Sequence, residues 1–256
     1  MRLPRRLRHG EEASLVEHLD ELRTRLIISL IALAAGFTIA FVFHAHLLDW
    51  LNQALPKDQR KPVTLGVTEP FVTSIKISLY AGFALALPVI LYEVWSFFAP
   101  AIQEHAQRIV AGFVALATGL FAGGVAFAYW VVLPPAVHFL TNYDSNQYDI
   151  QVRASYYYSF AALLIVGIAL IFELPIFVLA LVRLGVLTTE KLRRNRRTGY
   201  VVMVVIAILL PTVDPVSLVF EAVPLLVLFE LSIWLAVLME RRRRRAETEL
   251  AGASSR

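Results

Sequence analysis

Apolar residues in this chain gather into long runs separated by short charged stretches, and the runs have the length of membrane-crossing helices. Leu26–Phe43 holds eighteen residues without a charge, close to the roughly 20 that a spanning helix needs. His44–Thr68 is a polar loop broken by Pro56 and Pro62, with a short helix expected near Trp50. The second run, Phe71–Trp95, carries Lys76 where it can snorkel outward and Pro88 as an internal kink. Ile109–Leu133 is the third, with Gly119 and Gly123 at the spacing that lets two helices approach closely, and Pro134 and Pro135 closing it. The fourth, Tyr156–Leu184, opens with three tyrosines suited to a membrane interface and is interrupted by Phe172-Glu173-Leu174-Pro175. Gly199–Leu210 gives only twelve apolar residues before Pro211-Thr212-Val213-Asp214-Pro215. That is about 18 Å of helix against a hydrocarbon thickness near 30 Å, so the fifth helix is short. If it meets the sixth, Val216–Met239, below the far surface, the bilayer is thinned there or the protein is dented.

The pattern predicts an all-α integral membrane protein with six transmembrane helices. They occupy residues 14–240, between a basic tail at 1–13 and a basic, disordered tail at 241–256. Composition agrees: 58% of residues are hydrophobic, 17% are charged and the mean hydropathy is +0.65, too apolar for a soluble domain. No short apolar segment is followed by a small-residue cleavage site, so the first run is expected to stay as a helix. The absence of cysteine excludes disulfides and thiolate chemistry.

Charge sets the expected orientation. With six helices, 19 of the 24 lysines and arginines fall on the side of the N-terminus (the near side) and 5 on the far side. The positive-inside rule then places both termini in the cytoplasm, in a cell membrane whose anionic lipids the basic tails would meet.

Against this cationic near side, Ser14–Leu26 stands out. Ser14 and Glu17 have the form of a capping box, and Leu15, Leu19, Leu22 and Leu26 make one apolar seam. Glu17, Asp20 and Glu21 share another face, and Glu17 with Glu21 is a like-charge pair that helix stability alone does not call for. Two readings stand side by side: a solvated helix start with acids at its positive end, or an acidic dock for a guanidinium ligand, whose planar fork matches carboxylates.

Within the membrane, Glu173 is the clearest functional candidate, because a carboxylate near the bilayer centre costs roughly 2.5–3.5 kcal/mol on insertion scales. It is read as a neutral, hydrogen-bonded acid, a partner-helix contact or a proton relay. Glu230 lies near the near-side arginines, and Asp214 sits in a proline-flanked turn. No catalytic constellation is present: Walker, GxGxxG, HExxH and GxSxG motifs are missing, and His44 and His46 diverge on a helix. Neither a metal, a cofactor nor a nucleic-acid partner is expected. A proton-coupled small-solute transporter using Glu173 is the alternative class, disfavoured by the lack of an internal repeat or a second broken helix.

Four motifs occur in order: His18-Leu19-Asp20-Glu21-Leu22-Arg23-Thr24-Arg25, Pro88-Val89-Ile90-Leu91-Tyr92-Glu93-Val94-Trp95-Ser96-Phe97-Phe98-Ala99-Pro100, Phe172-Glu173-Leu174-Pro175 and Phe229-Glu230. Together they closely resemble the TatC family, the multi-spanning receptor subunit of the twin-arginine protein translocase. The resemblance implies a concave, glove-like bundle of six helices with short helices five and six. It implies binding of the paired arginines of signal peptides on folded proteins, and export with single-span TatA/TatB-type partners driven by the proton-motive force. It also implies a non-enzymatic role and self-association. Carried over by motif, Glu21 is the main acid for the signal arginines, with Leu19, Arg23 and Phe97 shaping the same surface. Glu173 and Asp214 would meet partner helices. The family often has a second signal-binding acid at the position of Ala106, and Glu104 is the candidate substitute. The turn at Pro211–Pro215 and Leu218 also depart from the family's pattern.

Overall fold

The computed structural model describes residues 15–98, 106–148, 150–183, 185–210 and 215–254, with side chains over 18–97, 111–148, 150–183, 185–210 and 215–241. The described residues are mostly helical: α1 (Leu15–Val42), α2 (His44–Asn52), α3 (Glu69–Phe98), α4 (Ala106–Phe127), α5 (Leu133–Asn142), α6 (Ala154–Ile171), α7 (Leu174–Arg183), α8 (Thr189–Arg194), α9 (Arg196–Leu209) and α10 (Pro215–Ser254). Among the described residues five stretches are long and apolar enough to cross a membrane: His18–Val42, Glu69–Phe97, Ala111–Asn142, Ala154–Arg183 and Pro215–Arg241. The run expected as the fifth membrane helix is α9, which has 14 residues. At 1.5 Å per residue it reaches about 21 Å, short of the roughly 30 Å core.

The third run does not stop at its prolines. Ala128–Val132 forms a π-helical turn and α5 continues through Pro134 and Pro135 as its opening residues. Proline has no N–H to offer the preceding turn, and the wider π register, with Leu133 N–H donating to Ala128 O, absorbs the mismatch. The fourth run breaks where expected: Glu173 N–H donates to Leu170 O in a tightened turn at 3.1 Å, and α7 restarts with Pro175 in its first turn. α10 is long, so the shortness expected of the last two helices is carried by α9. Beyond residue 240, where the sequence suggested a disordered tail, α10 continues through the arginines to Ser254, over residues that are mostly good helix formers.

Close helix approach occurs at glycines other than the expected pair. A Cβ at Gly36 of α1 would stand 2.4 Å from Gly82 O of α3, and one at Gly82 would stand 2.5 Å from Phe37 N, so these helices touch backbone to backbone. A Cβ at Gly124 would lie 2.7 Å from Ala169 Cα, joining α4 to α6. Gly119 and Gly123 have nothing within 4 Å among the described residues.

The far end is tied by polar bonds. Tyr129 OH donates to Trp50 O at 2.8 Å and stacks on the Trp50 ring, while Tyr157 OH donates to Leu51 O at 2.5 Å and Tyr158 OH to Asn52 Oδ1 at 2.8 Å. These groups belong to the last turn of α2, where Trp50 O and Leu51 O also accept the Gln53 and Ala54 N–H groups, and Tyr129 and Tyr157 use their second lone pairs. Of the three tyrosines expected at an interface, only Tyr156 is exposed. Val63 and Arg153 pair as a short parallel bridge, and Arg153 holds Glu69 in a fork at 3.0 and 3.2 Å. Glu69 also accepts from the backbone N–H groups of Leu65, Gly66 and Ser155. The hydrogen bonds from Arg153 to the Glu69 carboxylate favour the charged guanidinium and raise its pKa. The two far-side loops are thereby clasped together.

Candidate functional site

At the near end, α1 packs along α3, so the acidic first turns of α1 stand beside the last turns of α3. Glu21 and Arg25 are one helical turn apart, and this spacing alone brings carboxylate and guanidinium together. Arg25 donates to Glu21 Oε1 from Nε at 3.1 Å and from Nη2 at 2.5 Å. Its Nη1 reaches Glu93 Oε2 on α3 at 3.0 Å, and Nη2 also reaches Ser96 O at 3.3 Å. Ser96 lies in the last turn of α3, where carbonyls lack intrahelical donors and the helix dipole is negative. Two carboxylates and a helix terminus therefore surround one guanidinium. The seat is partly open: the side chains of Arg25, Glu21 and Glu93 retain 21%, 25% and 12% of their exposure.

The other expected residues flank it. Phe97 stacks on His18 with ring centroids 4.4 Å apart, bringing the end of α3 against the start of α1. Leu19, Asp20 and Arg23 are exposed on the same helix. Glu104, its neighbour Ala106 and the Ser14–Glu17 cap lie outside the residues whose side chains are described, and Asp214 lies outside the described residues altogether. Glu93 is the site residue that sequence reasoning missed. In the sequence it stands as one letter of a motif, and its signal is an acid near the end of an apolar run.

Glu173 sits at the α6–α7 break, 2% exposed, and neither carboxylate oxygen has a hydrogen-bond partner among the described residues. Its chain neighbour Phe172 packs on Phe127 and against residues of α9 and α10. The acid is enclosed by the protein's own helices and does not lie open on their surface. Between α9 and α10 runs an apolar groove of about 630 Å³, lined by Val201, Val204, Val205, Leu226 and Val227 and ending at Tyr200 and Glu230. Tyr200 OH donates to Glu230, and Arg196 pairs with Glu230 at 3.5 Å. Among the described residues no group of three His, Asp or Glu side chains is placed to hold a metal ion.

Residues 17–224 match the family model described as Sec-independent protein translocase protein (TatC). The chain is 40% identical over 238 residues to the TatC protein of Aquifex aeolicus, covering 90% of this chain and 97% of that one. It is 35% identical over 255 residues to TatC of Koribacter versatilis, covering 95% and 94%. Against TatCd of Bacillus subtilis, identity is 32% over 241 residues, covering 94% and 98%. A crystal structure of the twin arginine translocase receptor TatC superposes with a TM-score of 0.75 at 38% identity, covering 86% of this chain and 98% of that one.

Proposed function

The chain belongs to the TatC family of Sec-independent protein translocase proteins, and we propose that it is the translocase subunit that binds twin-arginine signal peptides at the near end of its bundle. The observation that carries this reading is the Glu21–Glu93 pair, two carboxylates from different helices already arranged around a guanidinium. A fork with five donors fits such a pair, and an ammonium group does not. Leu19, Arg23, Phe97 and Glu104 shape the surface on which the rest of the peptide lies. The near end faces the cytoplasm of the cell membrane, as its 19 of 24 basic residues suggest.

With single-span TatA/TatB-type partners, the protein moves folded cargo outward, driven by the proton-motive force, and more than one copy assembles. Partner helices lie along α9 and α10, where the apolar groove supports the reading, and reach Asp214 at the turn between them. Glu173 is the membrane-embedded polar contact for those helices, exposed to them once the α6–α7 break opens.

The test is equilibrium binding of a labelled twin-arginine signal peptide to the detergent-solubilised protein, with a twin-lysine peptide as control. Wild type should prefer the arginine peptide, and Glu21→Ala should weaken its binding at least about tenfold, equivalent to about 1.4 kcal/mol. Equal binding of the two peptides to wild type, or unchanged binding in the variant, refutes the site.

A further inference from the structure

Four hydrogen bonds converge on the Arg25 guanidinium from Glu21, Glu93 and the end of α3, using four of its five N–H groups. Such an arrangement is a finished arginine-binding seat with an arginine already in it. We propose that Arg25 is a resident stand-in for the signal-peptide arginine, and that binding proceeds by exchange: Arg25 swings out and one incoming guanidinium takes its place between Glu21 and Glu93. The proposal rests on the functional reading above and adds to it two residues with roles of their own, Glu93 as the second acid of the seat and Arg25 as an internal competitor.

Geometry and exposure favour exchange over a fixed structural tie. Arg25 reaches the seat on a flexible stem from α1, and its side chain keeps a fifth of its exposure, so it has a route to water beside exposed Asp20 and Arg23. Glu93 is the least exposed of the three groups, and removing the guanidinium would leave its carboxylate facing that of Glu21. An empty seat would therefore be costly, because two carboxylates so close repel and are partly desolvated. Occupancy by Arg25 keeps the site formed between ligands. It also sets the specificity: a newcomer must replace four bonds that spread over a planar fork, which a lysine ammonium, a point donor, cannot span.

Competition lowers the apparent affinity by the fraction of time the seat is open. Neutralising the competitor should restore the intrinsic affinity. The experiment measures the Kd of the twin-arginine and twin-lysine signal peptides for full-length wild type, Arg25→Gln, Arg25→Lys and Glu93→Gln in detergent. Arg25→Gln should bind the arginine peptide about tenfold more tightly than wild type, with a smaller gain for the lysine peptide. Arg25→Lys keeps a positive charge between α1 and α3 and so guards against misfolding, and it should show a lesser gain of about threefold. Glu93→Gln, introduced into either tighter-binding variant, should abolish the gain. If wild type discriminates between the peptides but both Arg25 variants bind the arginine peptide no better than wild type, the exchange is wrong and the receptor reading stands. If wild type does not discriminate, the receptor reading itself fails.

Discussion

Replacing Gly36 by alanine tests how α1 is held, and the structure sets the size of the effect. The new methyl carbon would stand 2.4 Å from Gly82 O. A carbon and a carbonyl oxygen settle at about 3.3 Å even when the contact is attractive. The two backbones must therefore move apart by about 0.9 Å locally, a gap that forfeits roughly a quarter to a half of the dispersion well for each atom pair across it. Overpacking of this kind costs about 1–3 kcal/mol. For a chain of this size each kcal/mol lowers the melting temperature by about 2–4 °C, so the fall should be about 2–12 °C. The assay is thermal unfolding of the detergent-solubilised protein, followed by loss of the monodisperse species. Gly119→Ala is the matched control, since it adds the same methyl to a membrane helix where no described residue lies within 4 Å. Any gain in helix propensity is common to both variants, so their difference isolates the clash. Equal melting temperatures for the two would refute the backbone-to-backbone contact between α1 and α3.

Tyr157→Phe keeps the ring and removes the hydroxyl donor to Leu51 O, a carbonyl that keeps the Ala54 N–H at 3.2 Å. It should destabilise the protein by about 0.5–1.5 kcal/mol in thermal or denaturant unfolding, and an unchanged stability would remove that bond from the account. Glu69→Gln removes the charge that Arg153 pairs with while keeping the side chain's length. The loop at 53–68 should then be cut faster by protease added at the far side, and a cutting rate equal to wild type would show that the clasp does not hold the loops. Glu173→Ala removes a buried acid that makes no hydrogen bond to the described residues, so it should fold and bind signal peptide as wild type does while losing transport in a cell-based export assay. Loss of peptide binding in that variant would contradict a partner-contact role.

Several features were legible in the sequence because they depend on local chemistry. Span number follows from the length of apolar runs against the bilayer, and the short fifth helix from twelve residues between a polar loop and a proline turn. The break beside Glu173 follows from a missing proline N–H, and Arg25 was foreseeable as a neighbour of Glu21 because one helical turn separates them. Tertiary structure decided the rest. Gly119 with Gly123 and Gly36 with Gly82 are all small residues on apolar helices, and composition does not say which helix face meets a neighbour. The consecutive tyrosines at 156–158 point in different directions around α6, so one faces outward and two donate to α2. Arg25 and Glu93 are 68 residues apart, and Glu69 and Arg153 are 84 apart. Such pairings exist only after helix packing brings distant turns together, because the energy that selects them belongs to the assembled faces and to no single stretch of chain.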